Sequence, residues 1–158
     1  MGLPGIEAVI TETLTILKAG MVAKLTSFSY ADGLTPAAPA DDAYFWYVPK
    51  PLPSPPLIIV MAQPESADQR NIPSEIAMTY AVQVDVVTRA GDVATSEVQL
   101  WRYWRAVKEL LLATQVFATA DCVLIGVDWS QPTITDRESG DELLDIPGVF
   151  HVTTYETP

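Results

Sequence analysis

The side chains best suited to chemistry are few, since the 158 residues contain one cysteine, Cys122, and one histidine, His151. A thiol nucleophile needs a base within hydrogen-bond reach. These two residues would have to meet across two separate strand-like segments, so Cys122 reads as a small buried residue near a strand start and His151 as a sheet residue sharing a face with Val149 and Thr153. One cysteine cannot form an internal disulfide, and one Cys with one His cannot build a Cys-rich zinc site. The chain carries no G-x-S-x-G elbow, no Walker A loop and no G-x-G-x-x-G turn. The expectation is a protein with no catalytic residues, no metal and no cofactor.

Carboxylates gather between Asp136 and Pro147, where Asp136, Glu138, Asp141, Glu142 and Asp145 face Arg137 alone. Gly140 falls one place too early for an EF-hand calcium loop, and no helices flank it. A glycosidase pair would need one carboxyl in an apolar pocket, for which these residues show no pattern. The segment reads as a solvated acidic loop joining two strands. A 12-residue connection is long for a hairpin, and such loops are usually functional or disordered. Five carboxylates in ten residues repel one another, so the loop is expected to be mobile until a partner or counterions compensate.

A third group lies on a helix expected to start at Asp92, or at Ser96 with Gln99 completing a capping box, and to run to about Thr114. Val93, Leu100, Trp104, Val107 and Leu111 form one stripe, the core face. Val98, Trp101, Arg105, Lys108 and Leu112 form a second line at steps of three and four, about a third of a turn away. Trp and Arg are enriched where interfaces concentrate their energy, which makes this line the candidate subunit contact. The alternative is that Trp101 caps the core edge while the cations are solvated.

The elements that must position these residues follow from periodicity. Leu3, Ile6, Ile10, Leu14, Leu17 and Met21 recur on one helical stripe from Pro4 to about Leu25, with Gly20 weakening the last turn. Val9, Ile16 and Val22 lie off that stripe. After a loop from Ala31 to Ala43, Tyr44 to Val48 reads as a strand. Pro49 to Pro56 has five prolines in eight positions and reads as a stiff, extended surface connection, with an SH3-type ligand as the minor alternative. Leu57 to Met61 is a short apolar strand, Gln63 to Pro73 a polar loop, and Ile76 to Val86 the clearest strand. In that strand Ile76, Met78, Tyr80, Val82, Val84 and Val86 alternate with the wetter Thr79, Gln83 and Asp85. Cys122 to Trp129, Pro132 to Thr135 and Val149 to Glu156 complete the strands. There is no strand–helix alternation and no repeat, so the fold class is α+β: one domain over residues 1–158, with a mainly antiparallel sheet and two helices packed on one face.

Charge and hydropathy restrict the function further. Nine Lys and Arg against 20 Asp and Glu give a net charge of −11, the wrong sign for gripping phosphates, so specific nucleic-acid binding is not expected. The longest apolar runs, such as Leu57 to Ala62, fall far short of the roughly 20 residues that span a bilayer. No basic residue precedes Lys18, and Glu7 and Glu12 interrupt the first apolar stretch, so a signal peptide is not expected and the chain is expected to start in the cytosol.

Taken together, the opening helix from Ile6 to Leu17, the strand Leu57 to Met61 before a polar loop, the long strand Ile76 to Val86, the helix around Leu100-Trp101-Arg102-Tyr103-Trp104-Arg105-Ala106-Val107 and the closing strands resemble the tail terminator proteins of long-tailed phages. That resemblance implies a structural virion protein, made in the host cytoplasm, that forms a ring, typically hexameric, at the head-proximal end of the tail tube. Such a ring ends tube growth and joins the tail to the neck, so its partners would be other copies of itself, the tube protein and the neck or connector proteins. DNA would pass through the lumen, whose acidic wall would let the duplex slide. The loop carboxylates Asp136, Glu138, Asp141, Glu142 and Asp145 would then line the lumen or meet an axial neighbour. The alternatives are another neck or head–tail connector subunit, a non-viral acidic adaptor, or an enzyme using the acidic loop.

Overall fold

The computed structural model describes residues 5–63, 68–72, 75–89, 93–114, 116–117, 122–129, 133–136 and 142–156. Its elements in chain order are α1 (Ile6–Ser27), β1 (Tyr44–Phe45), β2 (Leu57–Ala62), β3 (Asp68–Ile72), β4 (Glu75–Arg89), α2 (Val93–Ala113), β5 (Val116–Phe117), β6 (Cys122–Trp129), β7 (Thr133–Asp136) and β8 (Glu142–Glu156). The strands form one sheet in the order β1-β2-β4-β8-β6-β5, with β3 added to β4 and β7 added to β8. Every pairing is antiparallel except β1 with β2. Both helices bury their apolar stripes against one face of this sheet, so the fold is α+β as the alternating patterns imply.

Two strands of 15 residues, β4 and β8, form the spine. They pair without interruption from Ile76 opposite Glu156 to Arg89 opposite Leu143. Along its other edge β4 holds β3 at Glu75 to Thr79 and β2 at Val82 to Val87. On the other edge of β8, β7 occupies Glu142 to Asp145 and β6 occupies Gly148 to Thr154.

Several expected boundaries are corrected. The acidic connection is not a loop from Asp136 to Pro147: Glu142 to Pro147 belong to β8, Asp136 ends β7 opposite Glu142, and Asp145 stands in the sheet between Thr133 and Val87. Glu138 and Asp141 lie outside the described residues. Pro147 lies within β8 although proline removes a ladder donor. It is accommodated where one edge of β8 changes partner, between the last β7 register at Asp145 and the first β6 register at Gly148. The segment 63–73 holds β3, a polar strand hidden from periodicity because it carries no apolar alternation. The strand expected to run to Val48 stops at Phe45, since the proline-rich stretch beginning at Pro49 cannot continue a ladder. Ser96 lies inside α2 rather than at its start, and Asp92 and Pro4 are outside the described residues. Residues 49–56 contain no helix or strand, as five prolines require.

α1 also runs through Gly20 to Ser27. That glycine is used for closeness: a Cβ there would stand 2.5 Å from Cδ2 of Leu110, so the missing side chain lets α1 and α2 pack tightly. Val9 is fully buried, Ile16 partly buried and Val22 exposed, so the three residues off the stripe split between core and surface.

Between the helices and the sheet, Leu17, Met21, Leu25, Leu100, Val107 and Leu111 meet Ile58, Val60, Val82, Val84, Val86, Ile146 and Phe150. Each fully buried Leu or Met stabilises by roughly 2 kcal/mol. At the centre, the Trp104 indole lies on the backbone of Gly148, where an added Cβ would stand 1.7 Å from Cη2, and its ring centroid is 5.6 Å from that of Phe150. Neither β8 nor a 2% exposed Trp has room to yield. The Gly148→Ala variant is therefore expected to lose about 2 to 3 kcal/mol by overpacking, read as a lower urea midpoint with an unchanged slope.

The opposite sheet face has a smaller apolar cluster of Ala43, Leu57, Ile59, Val87 and Leu143, with Leu52 of the proline-rich segment packed on it. Beside it, the face expected to be wet is half-buried and holds a polar chain. Gln63 Nε2 donates to Gln83 Oε1, and Gln83 Nε2 donates to Asp85 Oδ1 at 2.7 Å. Burial raises the Asp85 carboxyl from 3.8 to about 6; the Gln83 hydrogen bond opposes the shift and the Asp145 charge adds to it. The folded chain thus holds this proton more tightly than the unfolded chain. The stability Asp85 contributes is full below about pH 3.8 and is lost as pH rises to about 6. Asp85→Asn is expected to match the wild type at pH 4 and to exceed it by roughly 2 kcal/mol at pH 8, measured by urea unfolding at both pH values.

Candidate functional site

Cys122 and His151 are not brought together. Cys122 stands opposite Thr154 on β8 while His151 stands opposite Gly126, a separation of three residues, or about 10 Å, along the strand. Among the described residues no three His, Cys, Asp or Glu side chains gather as metal ligands, and no helix is long and apolar enough to cross a membrane. The features available for recognition are instead two exposed faces of the helical layer.

The first is the outer line of α2. Val98, Trp101, Arg105 and Leu112 are exposed and Lys108 is half-buried, while Leu100, Tyr103, Trp104, Ala106, Val107 and Leu111 are buried. Trp101, at 36% exposure, is a surface residue of α2 and not part of its core stripe. The cations on and beside this line do more than sit in solvent. Arg105 donates from Nε to Glu109 Oε1 at 2.9 Å and lies 4.3 Å above the Phe28 ring; Lys24 of α1 approaches Glu109 at 3.7 Å. The hydrogen bond from Arg105 and the nearby cations hold the Glu109 carboxyl below its usual range.

One helical position over, Arg102 was not singled out by pattern, yet it organises the segment after α1. Its guanidinium donates to the Leu34 carbonyl and to Asp32 Oδ2, each at 2.5 Å, and stacks 3.9 Å from the Tyr30 ring centroid. The Arg102 hydrogen bond, with help from the Leu34 amide, lowers the Asp32 carboxyl. Tyr103 adds a hydrogen bond from its hydroxyl to the Ala37 carbonyl. Gly33 takes a positive φ of 69°, a conformation glycine adopts readily, to close this turn. Residues 28–37 are thereby strapped across α2. Such a contact, spanning 70 residues, leaves no periodic signal. Only the Asp32-Gly33 turn pair hinted at it.

The second face is a cleft of about 410 Å³ on the far side of α1, lined by Glu7, Thr11, Leu14, Thr15 and Lys18 with Tyr44 and Trp46. Trp46 is 57% exposed, and Tyr47 and Val48 beside it are also open to solvent. Burial raises the Tyr44 hydroxyl to about 12, so it stays protonated. Tyr44 to Val48 has the residue types of a strand, so sequence pattern alone does not mark the exposed aromatics Trp46 and Tyr47 as a recognition feature.

The two faces point in opposite directions. Gly20 and Leu110 mark the seam between the helices. Nine residues are 900° of helix, or about half a turn net, so Trp101 lies about 180° from Leu110 and Thr11 about 180° from Gly20. The α2 line and the α1 cleft therefore occupy opposite flanks of one layer.

No protein-family model matches this chain, and no curated protein matches it. Among solved structures, a chain from a particle described as "Virion of native gene transfer agent (GTA) particle" is 20% identical over 88% of this chain and 94% of that chain, with a TM-score of 0.46.

Arg102→Ala is expected to lower stability by about 1 to 2 kcal/mol and to speed hydrogen exchange at the Gly33 and Leu34 amides, while Arg102→Lys, which lacks the planar fork, recovers little of either.

Proposed function

We propose that the chain is a ring-forming structural subunit of a phage-type virion, placed where the tail tube meets the neck, and not an enzyme. The observation that carries this reading is the pair of dissimilar exposed faces on opposite flanks of the helical layer. A subunit with one self-complementary patch makes a two-fold dimer. One with two different patches makes heterologous contacts, which propagate and close into a ring when the rotation permits. The resemblance of the element pattern to tail terminators supplies the setting: a ring on the head-proximal end of the tube that ends its growth and joins it to the neck.

The net charge of −11 supports the same reading. A wall that lets DNA slide must not bind phosphates, and an acidic lumen repels them within a Debye length of about 8 Å at physiological salt. In this reading the β7–β8 end of the sheet, which carries Asp136, Glu142 and Asp145 on its strands, faces the lumen or an axial neighbour.

Sedimentation velocity over a hundredfold concentration range is expected to show a discrete oligomer that converts to monomer only on dilution. Trp101→Glu should keep the near-UV circular dichroism of the folded subunit and weaken association by at least about 2 kcal/mol per contact. A variant that unfolds would instead make Trp101 a core residue.

A further inference from the structure

The cleft between α1 and β1 is a surface lined by two aromatic rings, one of them, Trp46, 57% exposed. Its floor and walls combine Leu14 and the Thr11 and Thr15 side chains with the rings of Tyr44 and Trp46, and a charge of each sign stands along its rim, Glu7 toward one end and Lys18 toward the other. Val22, exposed one turn beyond Lys18, extends the apolar flank. A cleft of about 410 Å³ with this lining accepts an aromatic side chain, because an offset ring can stack on Trp46 while apolar contacts surround it.

The outer line of α2 presents such a side chain. Trp101 stands one turn from Val98, which is 45% exposed, so the indole adjoins a second exposed apolar side chain; Leu112, equally exposed, lies three turns further on, past Arg105 and Lys108. Charges flank it too. Exposed Glu97 lies one turn before Trp101, and Arg105 and Lys108 lie one and two turns after it.

These charge orders match in one direction only. Along α1 the sequence is negative then positive, Glu7 to Lys18, over 11 residues; along α2 it is negative then positive, Glu97 to Lys108, again over 11 residues, or about 16 Å in each helix. Laid antiparallel, each end of one helix meets the opposite charge of the other, and the position four residues inside Glu97, Trp101, falls against the position four residues inside Lys18, Leu14. Laid parallel, like charges face each other.

We propose that the cleft is the socket for Trp101 of a second copy of this chain, with the two helices antiparallel, Glu97 of one copy near Lys18 of the next and the cationic end of α2 near Glu7. The contact rests on the self-assembly in the ring reading and deepens it by naming both sides of the joint. Because socket and knob lie on opposite flanks of one subunit, every copy can offer a knob to one neighbour and a socket to another.

The test uses the full chain. Trp101→Glu removes the knob, and Trp46→Glu, at an exposed position on the socket wall, spoils the socket. Each variant alone is expected to sediment as a monomer with native near-UV circular dichroism. Mixed in equal amounts they should form a 1:1 dimer and nothing larger, since the mixture retains one good knob and one good socket. Lys18→Glu and Glu97→Lys should each weaken wild-type association about fivefold, and the double variant should restore it.

If the wild type is oligomeric and Trp46→Glu remains so, the socket is elsewhere and the inference fails while the ring reading stands. If the mixture stays monomeric although both variants are folded, the inference fails as well. Should the wild type instead grow into open filaments by this same knob and socket, the inference holds and the closed ring does not. A wild type that is monomeric at every concentration overturns both.

Discussion

The close approach of the Trp104 indole to the backbone of Gly148 is the constraint on which the rest of the structure depends. It joins the middle of α2 to β8, and β8 is the strand that β4, β6 and β7 all pair with. With that indole in place, Leu100, Val107 and Leu111 fall onto the same sheet face, and α1 can close against α2 across Gly20. Two glycines 128 residues apart thus set the spacing of the layers, one between helix and sheet and one between helix and helix. Neither is needed for a turn; each is needed because a Cβ would occupy space already filled.

The helical layer is completed by charge as well as by apolar packing. Arg102 and Arg105 use their guanidinium planes twice, for hydrogen bonds and for stacking over Tyr30 and Phe28. This fastens residues 28–37 onto α2 and leaves Trp101, immediately before Arg102 in sequence, projecting from a rigid support. A hot-spot aromatic gains affinity when little side-chain or backbone freedom is lost on binding. The same arrangement explains why an acidic chain concentrates cations on this helix: they are mostly engaged inward.

Much of this fold was legible in the sequence where burial has a period. The stripes of α1 and α2, the alternation of β4 and the limits of β6 all follow from apolar spacing, and so does the division of α2 into a core stripe and an outer line. What was not legible depends on contacts without periodicity. β3 is a polar strand that exists because β4 is long enough to hold it beside β2. Pro147 and the carboxylates around it suggested a loop, and only the change of partner along one edge of β8 shows why a strand passes through them. The cleft beside α1 was hidden for the opposite reason: Trp46 and Tyr47 look like strand residues, and the prolines that stop the ladder leave them in solvent. Arg102 could not be found from its own neighbours, since its acceptors lie about 70 residues away.

The β4–β8 ribbon has a further consequence. Its 14 consecutive antiparallel registers run over nearly the whole of both strands, with β3 paired to β4 at one end and β7 paired to β8 at the other. Ladder hydrogen bonds lie perpendicular to the strands. A pull directed along the ribbon, with one strand held from each end, would load all of those bonds together in shear instead of opening them one at a time. A subunit built around this spine is stiff along one axis, and tension between two neighbours attached at its opposite ends would pass through the molecule without having to unfold it.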